Sequence, residues 1–282
     1  MIIIYIIFGL MITAMIMAVI ETRLLRVTHY EIIADCPSDQ DEKTVRIAIV
    51  SDLHCTRFGK KNKRLIDKIA GQKADFLIVA GDVINSRPGD LRYAVEFFDG
   101  LRNEGVEAYY FFGNHEQKLV LYGENELQIF ENEMKSHVRI VNNDTIEVKG
   151  TVLKGLLIPL RMYRDSLSNI AGYFDATGLA GSFCDDGKYH ILVAHDPTFV
   201  DYYRDINADL TIGGHLHGGI IRLPFVGGLI SPRHRLFPGK TKGLYDEGNG
   251  KLLVTSGVGW HALPFRFLND PQIVILEIKM RR

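Results

Sequence analysis

From residue 45 onward the chain repeats one arrangement: a short, nearly continuous apolar run with strand character, then a turn built from Gly, Asp, Asn or His. The runs occupy residues 45–50, 76–80, 108–112, 191–194, 210–212 and 252–255. Runs that do not alternate apolar with polar residues are what strands covered on both faces require, so a layered core is implied. Between the first three runs lie stretches 61–70 and 91–103, whose apolar residues recur at helical spacing. Strands alternating with helices read as an α/β fold. In such folds ligands bind beyond the carboxyl ends of the strands, so the polar residues just after each run are expected to converge on one edge of the sheet.

Those residues are Asp52-Leu53-His54, Gly81-Asp82, Gly113-Asn114-His115-Glu116, His195 and Gly214-His215-Leu216-His217. An isolated histidine is more often a surface or hydrogen-bonded core residue than a ligand. Here, however, five of the ten histidines fall in these turns, while Cys36, Cys55 and Cys184 take no part in the pattern. The donor set is therefore imidazole, carboxylate and amide oxygen, which suits Mn²⁺, Fe or Zn²⁺ better than a thiolate-selected ion. A carboxylate bridges two cations readily. The three cysteines are scattered and lack C-x-x-C spacing, which argues against a disulfide framework and fits a reducing compartment.

This series of motifs resembles the calcineurin-like metallophosphoesterase superfamily over residues 45–282. The resemblance implies a sandwich of two packed mixed β-sheets flanked by helices, an α/β (α+β sandwich) architecture. It further implies two divalent metal ions. Asp52, His54, Asp82 and His217 would hold one, and Asp82, Asn114, His195 and His215 the other, with Asp82 as the bridge. His115 would sit beside the site, steadying transition-state charge or protonating the leaving oxygen. The implied chemistry is attack of a metal-activated water on phosphorus, with no nucleophilic Ser or Cys.

Ahead of this body, residues 1–20 carry no charge and are dominated by Ile, Met, Leu, Val and Phe. At about 1.5 Å per residue such a helix spans about 30 Å, a bilayer core. A cleaved signal peptide would show a basic segment and a small-residue cleavage site, and neither is clear. The expected organisation is a single-pass transmembrane anchor at 1–22, a linker with an edge strand at 23–44 (the strand over 30–34, a loop from Cys36 to Lys43), and the catalytic body at 45–282. Arg23 and Arg26 follow the span, which by the positive-inside rule favours a cytoplasmic body at the cell membrane.

The formal net charge of −1 sets up no global field toward nucleic acid, and none is expected as partner. Local features must choose the substrate. Arg222, Arg233, Arg235, Lys240 and Lys242 lie in a stretch without acids directly after the last motif, and read either as an anion clamp or as a solvated hairpin. Lys60, Lys61, Lys63 and Arg64 form a smaller basic group near the first motif. Trp260, His261, Leu263, Phe265, Arg266 and Phe267 read either as an apolar rim or as core. The region from Gly218 onward, including Ile230-Ser231-Pro232, is similar to the membrane-associated bacterial phosphodiesterase branch related to UDP-2,3-diacylglucosamine diphosphatases. The expected substrate is thus a phosphorylated small molecule or lipid-linked phosphocompound. A protein phosphatase, a nuclease or a non-catalytic scaffold with the same core are the competing readings.

Overall fold

The protein is described by a computed structural model covering residues 1–35, 43–164, 174–219, 221–230, 236–248, 250–260 and 264–281. Cys36 with most of the expected 36–43 loop, Ser231, Pro232, Arg233, Arg235, His261 and Leu263 lie outside the described residues.

Two six-stranded mixed sheets form the body. The first runs β1 (Arg26–Asp35), β14 (Gln272–Arg281), β2 (Lys43–Val50), β3 (Phe76–Ala80), β4 (Ala108–Phe111) and β5 (Arg139–Ile140). The second runs β12 (Gly243–Glu247), β13 (Gly250–Val254), β9 (Leu210–Gly213), β8 (Tyr189–Ala194), β7 (Thr151–Leu156) and β6 (Thr145–Val148). Within the first sheet β2 to β5 are parallel and β14 runs against β2. A two-stranded hairpin, β10 (Arg222–Leu223) and β11 (Gly227–Gly228), stands apart.

Side-chain alternation within the strands divides the core into layers. Ile47 and Ile49 of β2 and Ile78 of β3 face inward and pack with Ile191 and Val193 of β8 and Ile212 of β9, closing sheet on sheet. Their neighbours Ala48, Val50, Leu77 and Val79 face outward against α2 (Lys63–Ala70) and α3 (Leu91–Asn103), through Leu65, Ile69, Phe97 and Phe98. On the far side Leu192 and Ala194 pack under Phe199 and Tyr203. Covering on both faces accounts for the unbroken apolar runs. Shorter helices α4 (Asn114–Gln117), α5 (Glu126–Met134) and α6 (Ala176–Ala180) complete the shell.

Helix α2 has eight residues, too few to persist alone in water. It is held by burial of Leu65, Ile66 and Ile69, each contributing about 1.5–3 kcal/mol. The sequence predicts a helix from residue 61, but the α-helix begins at Lys63. Lys61 and Asn62 take left-handed backbone angles (φ 50° and 60°), and the Asn62 side chain accepts a hydrogen bond from the Phe58 amide at 2.9 Å. Asn tolerates that conformation because its short polar side chain bonds locally.

Among the described residues, β5, β6, β7, β12 and β14 escape the sequence reading. β7 and β14 follow no site turn, yet β14 lies inside the first sheet and separates β1 from β2. The N-terminal helix α1 (Ile2–Glu21) is exposed along most of its length, and 6% of its most apolar window is buried. Its last turn is different: Ala18, Thr22 and then Leu25 are buried against the body. The Arg266 amide donates to the Ala18 carbonyl at 3.3 Å, and Arg23 lies over the Trp260 ring at 5.6 Å.

Candidate metal centre

Each sequence-predicted site residue leaves the carboxyl end of a strand. Asp52 and His54 follow β2, Asp82 follows β3, Asn114 and His115 follow β4, His195 follows β8, and His215 and His217 follow β9. Because both sheets present these ends to one edge, eight residues from five turns meet there. All are buried except His115, which is half-buried.

The turns are joined to one another by backbone hydrogen bonds. The Asp52 amide donates to the Gly81 carbonyl at 2.9 Å and the His54 amide to the Asp82 carbonyl at 3.1 Å. Across the sheets the His215 amide donates to the Asp52 carboxylate at 3.0 Å. Glycine is required where these turns touch. A Cβ on Gly81, whose φ is +90°, would stand 2.5 Å from the His195 ring, and one on Gly113 would collide with the Asp82 carboxylate.

A local signature invisible in the sequence marks the site. Asp52, His54, Asp82, His215 and His217 all have positive φ, between 45° and 63°. Side chains other than glycine rarely hold that conformation, at a cost of roughly 1–3 kcal/mol each. Five such residues in one cluster are backbone strain concentrated where function needs particular side-chain directions.

The donor atoms fall into compact groups. Those of Asp52, His54 and His217 lie within 4.8 Å of one another, as do those of Asp82, His195 and His215, and those of His54, Asp82 and His115. Asp82 Oδ2 is 3.0 Å from His195 Nε2 and 3.7 Å from His54 Nε2. Asp52 Oδ1 is 3.6 Å from His217 Nε2 and 3.8 Å from His195 Nε2. Donors placed about 2.0–2.2 Å from one ion stand roughly 3–3.5 Å apart, so these separations fit a divalent cation.

Two details strengthen the fit. His195 Nδ1 donates to the Ala80 carbonyl at 2.8 Å, which turns the Nε2 edge toward Asp82 and defines the tautomer a ligand needs. The Asn114 side-chain oxygen is buried with no hydrogen-bond donor among the described residues, and an amide oxygen of that kind suits a hard cation. Without a cation, these buried groups share charge among themselves. Burial pushes Asp52 up to about 6, despite the His195 charge beside it. Burial opposes ionisation of Asp82 too, but His195 and His115 outweigh it and hold the carboxyl well below the usual range. His195 rises to about 10, its burial outweighed by Asp82 and Asp52.

His115 is engaged differently. Its Nδ1 lies 2.9 Å from Ser86 Oγ, its Nε2 3.2 Å from Lys118 Nζ, and its ring stands edge-on to His54 at 4.6 Å. Both of its ring nitrogens are thus within hydrogen-bond reach of other side chains.

Sequence reasoning missed the group that fixes the turns. Glu116, with no exposed surface, accepts from the amides of Asp82 (3.1 Å), Val83 (2.8 Å) and Gly113 (2.8 Å) and from the Tyr110 hydroxyl (2.7 Å). The available signal was an acid three residues after the Gly that opens α4, the spacing of a capping box. Ser51, bonded to the Asp52 carboxylate, and Asp196, 3.5 Å from His215 Nε2, were also missed.

Two alternatives that the sequence left open are decided. Arg266 is not at an exposed edge: it is 2% exposed and donates to the carbonyls of Ser256 (2.8 Å), Gly259 (3.1 Å) and Asn269 (3.2 Å). Nor do the described basic residues of the 222–242 stretch form a free anion clamp. Arg222 bonds the Gly218 carbonyl and Thr241 Oγ1, Lys240 pairs with Glu247, and burial pushes Lys242 down to about 8.

Residues 45–219 match the family model for calcineurin-like phosphoesterases. An uncharacterized metallophosphoesterase of Campylobacter jejuni is 28% identical over 257 residues, covering 86% of this chain and 61% of its own length, so the chain spans about three fifths of that relative. The uncharacterized metallophosphoesterase YkuE of Bacillus subtilis is 28% identical, covering 83% of this chain and 79% of that protein. One from Aquifex aeolicus is 26% identical over 92% and 94% of the two chains. Among solved structures, TT1561 of Thermus thermophilus aligns with a TM-score of 0.43 at 13% identity, over 77% of this chain and 91% of that one.

Proposed function

The chain belongs to the calcineurin-like phosphoesterase family and is a phosphoric ester hydrolase; from that premise we propose that it cleaves a phosphodiester or pyrophosphate bond in a membrane or envelope phosphocompound such as UDP-2,3-diacylglucosamine. The observation that carries the metal-dependent part is the convergence of Asp52, His54 and His217, and of Asp82, His195 and His215, into donor groups within 4.8 Å. In this reading Asp52, His54, Asp82 and His217 hold one ion, and Asp82, Asn114, His195 and His215 the second. When bound, such a pair supplies Lewis acidity toward phosphoryl oxygens and a water nucleophile at neutral pH.

The chain's own residues supply the rest. Glu116 and the glycine turns hold the ligand directions before substrate arrives. In this reading His115 would steady transition-state charge or protonate the leaving oxygen, with Ser86 setting its ring orientation and Lys118 placing a positive charge against its outer nitrogen. Burial lowers the Lys118 pKa, which lets it share a proton with His115 more readily than an exposed lysine would. The substrate class rests on α1, whose length and apolarity match a bilayer span and whose position beside the body would confine the enzyme to a surface that concentrates lipid-borne substrate.

The test is hydrolysis by metal-stripped full-length protein with Mn²⁺, Zn²⁺ or Mg²⁺ restored. Bis-p-nitrophenyl phosphate, UDP-2,3-diacylglucosamine in vesicles, a nucleotide diester and a phosphoprotein are compared. Metal-dependent turnover of the lipid pyrophosphate above the others is the expected result. Turnover of only the nucleotide diester or phosphoprotein would remove the lipid reading while leaving the metalloenzyme in place. Full activity without metal would overturn both.

His115→Ala separates chemistry from binding. It is expected to keep metal content near the parent value and lower kcat by about 10²–10⁴-fold, the range for a lost general acid. Metal loss on the scale of a ligand substitution would instead make His115 a ligand.

A further inference from the structure

The hairpin that follows the last site histidine ends in apolar residues with nothing described against them. Phe225 at its tip is fully exposed, its neighbours Leu223 and Val226 are exposed, and so are Leu236, Phe237 and Leu268 by the hairpin base. Phe237 belongs to this group through its amide, which donates to Leu229 at 2.8 Å, and Leu229 in turn donates to Ile221 at 2.8 Å. A cluster of this kind in water marks a surface made to meet something.

Its position identifies the partner. The Arg222 amide donates to the Phe267 carbonyl at 3.0 Å, so the base of the hairpin pairs with the 264–268 segment. That segment touches α1: the Arg266 amide bonds Ala18, one turn inside the helix end, and the Asn269 amide reaches Glu21 Oε2 at 3.3 Å. If α1 spans the bilayer, residues level with Ala18 and Glu21 lie at the headgroup boundary, a zone of roughly 5–8 Å on each side. The hairpin lies one strand spacing, about 4.8 Å, from a segment already at that depth. Arg23 at the helix exit adds positive charge where anionic headgroups stand, while Arg26 is paired with Asp270 at 2.6 Å.

We propose that the β10–β11 hairpin, with Leu236, Phe237 and Leu268, is a second membrane contact that enters the headgroup–acyl boundary of the lipid bilayer beside the anchor. The proposal rests on the reading of α1 as a membrane span. Its consequence is to hold the metal centre at the membrane face. Arg222 at the hairpin base bonds the Gly218 carbonyl at 2.8 Å, next to His217, and Asn269 Nδ2 bonds the His217 carbonyl at 2.6 Å. The mouth of the site and the apolar tip therefore share one short rigid connection, and a phosphate at headgroup depth is presented to the ligands.

The test uses full-length protein in vesicles of phosphatidylcholine and phosphatidylglycerol carrying brominated acyl chains. Phe225→Trp and Met11→Trp are compared with the parent, whose Trp260 signal is subtracted. Blue-shifted emission quenched by bromine at both positions is the expected result. Quenching at 11 with unquenched, water-like emission at 225 overturns the hairpin contact while the anchor stands. Blue-shifted but unquenched emission at 225 means that protein, such as a second copy of the chain, covers the tip, and also overturns it. No quenching at 11 removes the anchor and this proposal together. In parallel, Phe225→Asp is expected to lower turnover of the vesicle-borne pyrophosphate on the order of tenfold and leave soluble bis-p-nitrophenyl phosphate turnover unchanged. An equal fall on both substrates would contradict a membrane role.

Discussion

Asp82→Asn is expected to strip the protein of bound metal and reduce hydrolysis by more than about 100-fold, the upper figure for substitutions merely adjacent to a ligand. Asp82 is the residue that both donor groups approach, 3.0 Å from His195 and 3.7 Å from His54. Its other oxygen accepts the His115 amide at 2.8 Å, so the carboxylate also fixes the residue proposed for proton transfer. Asparagine preserves the volume but removes the charge and turns one of two acceptor atoms into a donor. Metal analysis of purified parent and variant, with kcat on bis-p-nitrophenyl phosphate, measures both effects. Parent-like metal content would sink the bridging role. Loss of about half the metal would confine Asp82 to a single ion.

Glu116→Ala has the larger effect on stability. Five donors converge on a carboxylate without solvent exposure, and alanine leaves the Asp82, Val83, Ile84 and Gly113 amides and the Tyr110 hydroxyl to find water or go without. Each unsatisfied buried donor costs roughly 1–3 kcal/mol, and partial water entry brings the expected total to about 3–5 kcal/mol. Chemical denaturation of the two proteins checks it. An unfolding free energy within about 1 kcal/mol of the parent, the size of an ordinary substitution, would refute the assignment. Metal content should fall along with stability, because the turns that Glu116 ties together carry Asp82 and Asn114. Glu116→Gln keeps the size but aims an NH₂ group at donors, so it should lie between alanine and the parent.

The candidate site residues were legible in the sequence because the signal is local. A strand run followed at once by Gly with Asp, Asn or His reports both the strand and what leaves its end, and the two-sheet architecture followed from the family that this pattern resembles. The features that could not be read depend on partners distant in sequence. Glu116 bonds amides more than thirty residues away, and amides carry no residue-type signature. Arg266 was left open between rim and core, because a long charged side chain is normally exposed while its sequence neighbours are apolar. Its partners are carbonyls, which any residue offers. β14 carries Glu277 and Lys279 and leads to no site, so nothing local indicated that it would pair with 26–35 on one side and 43–49 on the other. The left-handed angles at five site residues belong to the folded turns, and no composition predicts them.

The position of β14 bears on the order of assembly during synthesis. β1 has no direct ladder to β2; it reaches the rest of the sheet through a strand more than two hundred residues later in the chain. Closing so long a loop is entropically slow, and local βα units form first. β2, β3 and β4, with α2 and α3, therefore come together while β1 still has no strand to pair with, the segment after α1 touching the body only through α2, by Lys68 to the Leu25 carbonyl and Arg64 to the Arg23 carbonyl. Only when β14 emerges from the ribosome does the strand continuous with the N-terminal helix lock to the body. The catalytic edge is assembled first, and its orientation toward whatever holds that helix is settled last.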